Sequence, residues 1–419
     1  MLIGQFLCNF LSAILRIISS LLLDPINLFC LVFLFLNTFG YILILTAIAR
    51  ISRKSRSVGP NVDLMKSDNA KPGCSPLPTI SFIIPTHNEE ETIERKLKNT
   101  RSLNYPRDHL EVMVVDDGST DKTLSIIAEV QRAWFPELRI ITQSRKGKSS
   151  AENTGLQNSK GEIIVISDAD VPLNPKALRF MVEDFKDQNV GGVTCSIQAN
   201  KEYVLALNLD LGLYTRKLEN EIDSIFGLSG PFVSFRRQVI PKIDEGIFSS
   251  DTDTGVIIRK RGYRVLYDPR IVSHVDRWVE GRPRTVVGAL KKLRHMAFGS
   301  LSLFLRHKDV LFRSRYGLFG WVIAPRYLFL NVFAPVVFVV LSINLIIAMI
   351  GSGLLVSLLF LTAFFLAICF LSRKLASHSI ISKALYMVFM YIVRYYADFY
   401  YYLFFILSPS QRRGVWSNV

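Results

Sequence analysis

Two stretches of this chain contain no charged residue, and each is long enough to cross a lipid bilayer. Asn27–Ala49 lacks Asp, Glu, Lys and Arg, and so does Tyr327–Leu371. A helix of roughly 20 apolar residues, rising about 1.5 Å per residue, spans the ~30 Å hydrocarbon layer. The first run therefore suffices for one crossing and the second for two, with a turn expected near Gly351-Ser352-Gly353. A third segment, Ala384–Leu407, is apolar and aromatic but contains Arg394 and Asp398, four apart and able to pair on one helix face. The opening stretch Leu2–Leu23, interrupted by Arg16, reads either as a span or as a helix lying in the interface. No basic region precedes it, which argues against a cleaved signal peptide.

Charge orients these segments. The 419 residues include 50 Lys and Arg against 35 Asp and Glu, a net +15. Arg50, Arg53, Lys54 and Arg56 follow one charge-free run, and Arg373-Lys374 follow the other. Basic residues flanking spans stay in the cytoplasm, which places the polar middle of the chain there too. These flanks supply six of the fifteen excess charges, and no nucleic-acid-binding motif accompanies the rest. Three C-terminal spans would put Arg412-Arg413 outside, so either the first or the last segment is left without a crossing. With 50% hydrophobic and 20% charged residues the chain is not of the disordered class. Its five cysteines are scattered without a CxxC, and neither a disulfide framework nor a zinc site is indicated.

Between the apolar runs the composition changes. Val58–Pro78 is rich in Gly, Pro, Ser and Asn and reads as a linker. Short apolar runs follow at Ile80–Pro85, Leu110–Val115, Leu138–Thr142 and Ile163–Ile166, alternating with helical stretches at Glu90–Arg101, Asp121–Ala133 and Pro175–Asp187. This alternation predicts a mostly parallel sheet covered on both faces. Ligands of such sheets bind at the C-terminal ends of the strands. Three of those ends are acidic: Thr86-His87-Asn88-Glu89-Glu90, Asp116-Asp117-Gly118-Ser119-Thr120-Asp121 and Asp168-Ala169-Asp170. A lone carboxylate after a strand is commonly a helix cap, a reading that suits Asp121 and Asn174. Two carboxylates one residue apart can share a hard divalent cation whose other ligands are phosphates. Arg145, Lys146 and Lys148 surround Gly147, giving either a phosphate-binding loop or a solvated charged one. The absence of GxGxxG after the first strand excludes a dinucleotide-binding oxidoreductase.

The blocks PTHNEE (from Pro85), VVDDGSTDKT (from Val114), RKGKSSAEN (from Arg145), ISDAD (from Ile166), SGPFVSFRR (from Ser229) and SDTDTGVIIRKRGYRVLYDP (from Ser250) occur in this order. In this the chain resembles the glycosyltransferase family 2 catalytic domain, over Ile80–Pro269. The resemblance implies a GT-A nucleotide-sugar-binding, Rossmann-like α/β domain set between N-terminal and C-terminal transmembrane helices. It implies that Asp116 and Asp117 meet the base and ribose of a UDP- or GDP-sugar, with Pro85, Thr86 and Glu89 beside them. It also implies that Asp168 and Asp170 hold Mg2+ or Mn2+ on the diphosphate, with Lys148 among the phosphate contacts. The acceptor's proton needs a base. The family's Glu-Asp motif is here Ser250-Asp251-Thr252-Asp253, so Asp251 is the expected base and Asp253 the alternative. Processive members carry QxxRW, where this chain reads Lys291-Lys292-Leu293-Arg294-His295. Arg294 matches the motif's arginine and joins the expected nucleotide-sugar contacts, but the tryptophan is missing.

The expected organisation is membrane segments over 1–50, a linker over 51–79, the catalytic domain over 80–275, an amphipathic interfacial region over 276–326, C-terminal transmembrane helices over 327–408 and a tail over 409–419. The expected activity is an inverting, metal-dependent transfer of sugar to a lipid or lipid-linked acceptor at the inner face of the plasma membrane. A processive polysaccharide synthase is the alternative, and membrane lipids, not nucleic acid, are the expected surroundings.

Overall fold

The computed structural model describes residues 24–58, 77–198, 204–245, 247, 249–274, 286–351 and 392–404, together with residue 19. Most of the opening apolar stretch, most of the linker, Trp278, the second half of the long apolar run and the tail with Arg412-Arg413 lie outside the described residues.

Helix α1 (Pro25–Phe35) starts at Asp24, whose Oδ1 accepts hydrogen bonds from the backbone of Ile26 at 2.8 Å and Asn27 at 3.1 Å. A π-helical turn, Leu36–Gly40, leads into α2 (Tyr41–Val58). The chain then builds a seven-stranded sheet in the order β3-β2-β1-β4-β6-β5-β7. Its strands are β1 (Ile80–Thr86), β2 (Leu110–Asp117), β3 (Arg139–Gln143), β4 (Ile163–Ile166), β5 (Val190–Gln198), β6 (Val233–Arg236) and β7 (Arg264–His274). β1, β2, β3 and β4 are mutually parallel where they pair, and β5 is parallel to β7. β6 runs antiparallel to both of its neighbours, which makes the sheet mixed.

Period-two alternation along β1 divides its side chains between two cores. Ile80, Phe82 and Ile84 join Ile93 and Leu97 of α3 (Ile93–Arg101) and Ile127 and Val130 of α4 (Thr123–Ala133). Ile83 faces Ala151 and Leu156 of α5 (Lys148–Asn158) on the other side. The helices α6 (Ala177–Asp184), α7 (Val204–Ile222) and α8 (Ser250–Lys260) complete the two layers. The chain leaves β1 toward β2 and β3, then returns to β4 on the opposite side of β1. Such a reversal opens a crevice at the C-terminal ends of β1 and β4.

Helix α9 (Val286–His307) occupies the predicted amphipathic stretch and buries Ala297, Phe298 and Leu303. Beyond it, two π-helical turns run into α10 (Asn331–Gly351). Among the described residues, Phe319–Ile347 is the one helix long and apolar enough to cross a membrane, and α1 is apolar but shorter. The Asn27–Ala49 run is helical throughout but broken by the π-helical turn. α1 lies against α10, with Asn344 Nδ2 donating to Asn27 Oδ1 at 3.2 Å, and Phe29 and Ile347 face outward. α2 packs Tyr41, Leu45 and Ala49 against Leu218 of α7, fixing the apolar helices to the α/β domain. Arg394 and Asp398 do pair, Nε to Oδ2 at 3.4 Å.

Candidate active site

β1 and β2 run in register to their ends, so Thr86 lies opposite Asp116. Pro85 has no N–H to give. It falls past Ile83, where the pairing with β4 stops, so no ladder bond is lost. The loops that follow are stitched together. Asn88, at φ 54°, accepts from the Thr120 backbone at 2.8 Å, and the Glu89 backbone donates to Thr123 Oγ1 at 2.8 Å. Asp121 Oδ1 accepts from the Thr123 backbone at 3.0 Å, just ahead of Lys122, which occupies the cap position of α4. The Asp116 carboxylate closes a turn onto Ser119. Gly118 makes that turn at φ 68°, and a Cβ on it would stand 2.8 Å from the Arg145 nitrogen.

Asp117, only 1% exposed, receives four hydrogen bonds from the β3–α5 loop region. The donors are Gln143 Nε2 at 2.7 Å, the backbone of Lys146 at 2.9 Å and of Gly147 at 2.8 Å, and the Arg145 guanidinium. Burial works to raise its pKa, but these donors outweigh it and hold the carboxyl below the ordinary aspartate value. The basic loop is thereby folded onto the acidic strand end, and Gly147, at φ 101°, turns it into α5.

The DAD loop after β4 is held from beneath. Lys96 of α3 is buried, and its Nζ donates to Ser167 Oγ and to the Val171 carbonyl, both at 2.6 Å. These bonds bracket Asp168 and Asp170. Ser167 Oγ donates onward to the Pro231 carbonyl at 2.7 Å. Burial pushes the Lys96 ammonium down to about 7, against the pull of Asp168 and Asp170.

Above that loop the decisive groups meet around Gly230. From the point where a Cβ of Gly230 would stand, Asp168 Oδ2 is 3.2 Å away, Lys148 Nζ 3.6 Å and Asp251 Oδ2 3.7 Å. Lys148 Nζ itself donates to Asp168 Oδ1 at 2.5 Å. Desolvation works against the charge of this half-exposed side chain, but Asp168, Glu152 and Asp251 prevail and raise its pKa above the usual lysine value. Asp251 sits in the first turn of α8, its Oδ2 accepting from the Gly230 backbone and its Oδ1 from its neighbour Thr252, both at 2.8 Å. Glu152, one turn along α5 from Lys148, is 5% exposed. Burial pushes its carboxyl up to about 7, with Asp168 and Asp251 adding to the rise and Lys148 opposing it.

Asp253 behaves differently from Asp251. It is 1% exposed, and its Oδ1 takes Arg306 Nε and His307 Nε2, each at 2.8 Å. Its Oδ1 is therefore engaged by the end of α9. Arg294 is exposed on α9 with its guanidinium 5.5 Å from the centre of the Phe298 ring, and His295 is exposed beside it. Lys96 and Glu152 were not foreseen. The available signal was a charged residue on a helix's buried stripe: Lys96 with Ile93, Leu97 and Thr100, and Glu152 with Ala151 and Leu156.

Among the described residues no three His, Cys, Asp or Glu side chains converge into a ready-made metal cage. Two aspartates at one strand end form a hard-oxygen donor set, which suits Mg2+ or Mn2+ when phosphate oxygens complete the shell. The attraction of Asp168 for a cation is already visible in its bond to Lys148.

A mixed sheet that reverses beside acidic strand ends, with a DAD loop facing a carboxylate across a glycine, defines an α/β domain of the GT-A type. Residues 81–244 match the family described as Glycosyl transferase family 2. It is 29% identical over 218 residues to a probable glycosyltransferase, YdaM, of Bacillus subtilis, covering 47% of this chain and 50% of that one. It is 27% identical over 258 residues to a poly-beta-1,6-N-acetyl-D-glucosamine synthase of Staphylococcus aureus, covering 58% and 60%. The chain thus spans between half and three-fifths of the curated relatives it matches. Among solved structures, a mannosyltransferase from Pyrobaculum calidifontis in complex with GDP-Man and Mn2+ superposes with a TM-score of 0.62. That likeness covers 88% of this chain and 97% of the other at 21% identity, and concerns the fold.

Proposed function

We propose that this protein is an inverting, metal-dependent glycosyltransferase that moves a single sugar from a UDP- or GDP-sugar to a lipid or lipid-linked acceptor at the cytoplasmic face of the plasma membrane. The observation that carries this reading is the meeting of Asp168, Lys148 and Asp251 over Gly230. In this reading a DAD carboxylate, a cation and a second carboxylate serve one reacting centre.

In this reading Asp168 and Asp170 hold Mg2+ or Mn2+, which when bound neutralises the leaving diphosphate as a Lewis acid. Lys148 adds a positive charge on the same side, and Arg294 adds a guanidinium from α9. Pro85, Thr86, Glu89 and Asp116 line the base and ribose, and Asp117 fixes the loop that delivers Lys148. Asp251 takes the proton of an acceptor hydroxyl as it attacks from the face opposite the diphosphate, which inverts the anomeric centre. The backbone donors of Gly230 and Thr252 orient that carboxylate while leaving a lone pair on each oxygen. Phe319–Ile347 supplies one crossing, and the charge-free run around α1 a second, with the basic flanks keeping the catalytic domain inside.

The test incubates membranes with a panel of radiolabelled nucleotide sugars and extracts them with organic solvent. Label in the lipid phase is the expected result, and no transfer from any donor sinks the reading. The likeness to a poly-beta-1,6-N-acetyl-D-glucosamine synthase favours a second reading, a processive synthase. His295 stands where processive enzymes carry tryptophan, and its exposed, partly polar ring offers poor support for a growing saccharide. Purified protein given one nucleotide sugar should therefore make a single extractable product, and a ladder on a gel would restore the synthase reading.

A further inference from the structure

A cavity of about 230 Å³ lies between the α/β domain and the apolar helices. Its walls on the catalytic side include Arg216 of α7 and the residues Ser249 and Thr252, which flank Asp251. Across from them stand Tyr327, Asn331 and Arg394. Tyr327 and Asn331 belong to the apolar helix Phe319–Ile347, so an occupant of this cavity touches both the catalytic domain and the segment proposed to sit in the membrane.

The wall chemistry selects the occupant. Two guanidiniums face one lining carboxylate, Glu219, which already accepts a hydrogen bond from Tyr41 at 2.7 Å. Arg394 meets Asp398 through Nε at 3.4 Å, and Arg216 gives Nη1 to Ser229 Oγ at 2.7 Å. Each guanidinium has five N–H donors and keeps its charge at any working pH. Forked donors of this kind match phosphate oxygens, and each guanidinium has further N–H groups beyond these two bonds, beside the apolar Phe226 and Leu303. The volume falls below the ~300–1,000 Å³ of sites for drug-sized ligands and suits a head group. Arg216 also links the cavity to the reacting centre, because its partner Ser229 directly precedes Gly230.

We propose that this cavity seats the phosphate of a lipid acceptor, anchored by Arg216 and Arg394, with the lipid chain leaving along the apolar helices. The proposal rests on the lipid-acceptor reading above and narrows it to an anionic head group. The anchored phosphate then lies beside Ser249 and Thr252, on the side from which Asp251 meets the acceptor.

Binding to the full-length protein in detergent tests this without turnover, using native mass spectrometry. The probes are a polyprenyl phosphate, the polyprenol of the same chain length and dioleoylphosphatidylglycerol. The phosphate should bind about tenfold or more tightly than the alcohol, the scale of one charge-assisted hydrogen bond. Arg216→Gln should erase that preference, Arg216→Lys should restore part of it, and both should bind UDP or GDP as the parent does. Arg394→Gln should weaken the phosphate alone. Equal binding of phosphate and alcohol would overturn the proposal, as would a preference that survives Arg216→Gln. Phosphatidylglycerol binding as tightly as the polyprenyl phosphate would overturn it too, since the cavity would then be a general phospholipid contact. A failure here leaves sugar transfer itself standing, and a failure of transfer leaves the measured lipid preference intact.

Discussion

At the end of β2 the Asp117 carboxylate receives four hydrogen bonds from its own chain, whereas at the end of β4 the Asp168 carboxylate is met by the Lys148 ammonium. A carboxylate offers about four lone-pair sites, so Asp117 is filled by the protein and Asp168 is left open to a ligand. Two acidic strand ends of one sheet have therefore been put to different uses. The β2 end builds a loop, and the β4 end meets one lysine from the neighbouring helix. Asp251 and Asp253 repeat the contrast on α8, one oriented by backbone donors beside Gly230 and the other bound into the end of α9.

The largest expected effect tests the first contrast. Asp168→Asn or Asp170→Asn should abolish turnover while the melting temperature stays close to the parent's. Asp117→Asn should instead cost stability, about 1–3 kcal/mol, because an amide group would face donors with a donor. Circular dichroism melts and a donor-hydrolysis assay read both. If Asp117→Asn melted like the parent, or Asp168→Asn kept full activity at low metal, the two ends would not differ as described.

Next in size is the contrast on α8. Asp251→Asn should lower the transfer rate about 10²–10⁴-fold, the usual contribution of a general base, with donor binding little changed. Asp253→Asn should lower the melting temperature, because Arg306 and His307 lose a buried partner. The opposite assignment of these two outcomes would move the base to Asp253.

Much of this was legible from local patterns, and the exceptions share a cause. The strands read as short apolar runs because both faces of the sheet are covered, and the DAD loop read as a ligand site because two carboxylates in a loop have few structural uses. The separation of Asp251 from Asp253 was within reach as well. Residues two apart on a helix point about 200° away from each other, so both could not face one substrate. The antiparallel setting of β6 was hidden, since a four-residue strand has no direction of its own in sequence. Lys96 and Glu152 were hidden because each becomes part of the site only when helix and strand end are brought together. In sequence each shows only as a charged residue on the buried stripe of its helix, without the strand end it will meet.

Lys96 sharpens the account of the β4 end at a smaller scale. Lys96→Met keeps much of the apolar stem but leaves Ser167 Oγ and the Val171 carbonyl without their donor. The loop should loosen. The metal concentration needed for half-maximal activity should rise several-fold, roughly the effect of losing about 1–2 kcal/mol of positioning, while the maximal rate at saturating metal falls less. An unchanged metal requirement would leave Lys96 as core filling.

The smallest effect concerns Glu152, whose carboxyl is pushed from an ordinary 4.5 up to about 7. Between those values the folded protein holds a proton that the unfolded chain has released. Stability from this group is thus fully present below about pH 4.5, falls as pH rises through the window and is gone above about pH 7. Glu152→Gln carries no titrating proton, so its stability should not follow that fall. The two proteins should differ least near about pH 4.5, and near about pH 8 the variant should melt higher, by on the order of a few degrees. The gain arises because a buried negative charge beside Asp168 and Asp251 has been removed, although Lys148 offsets part of it. Melting curves that run parallel across the whole range would mean that Glu152 is ionised in the fold throughout. Lys148 would then be shared between Glu152 and Asp168, and the β4 carboxylate would be still more open to a ligand.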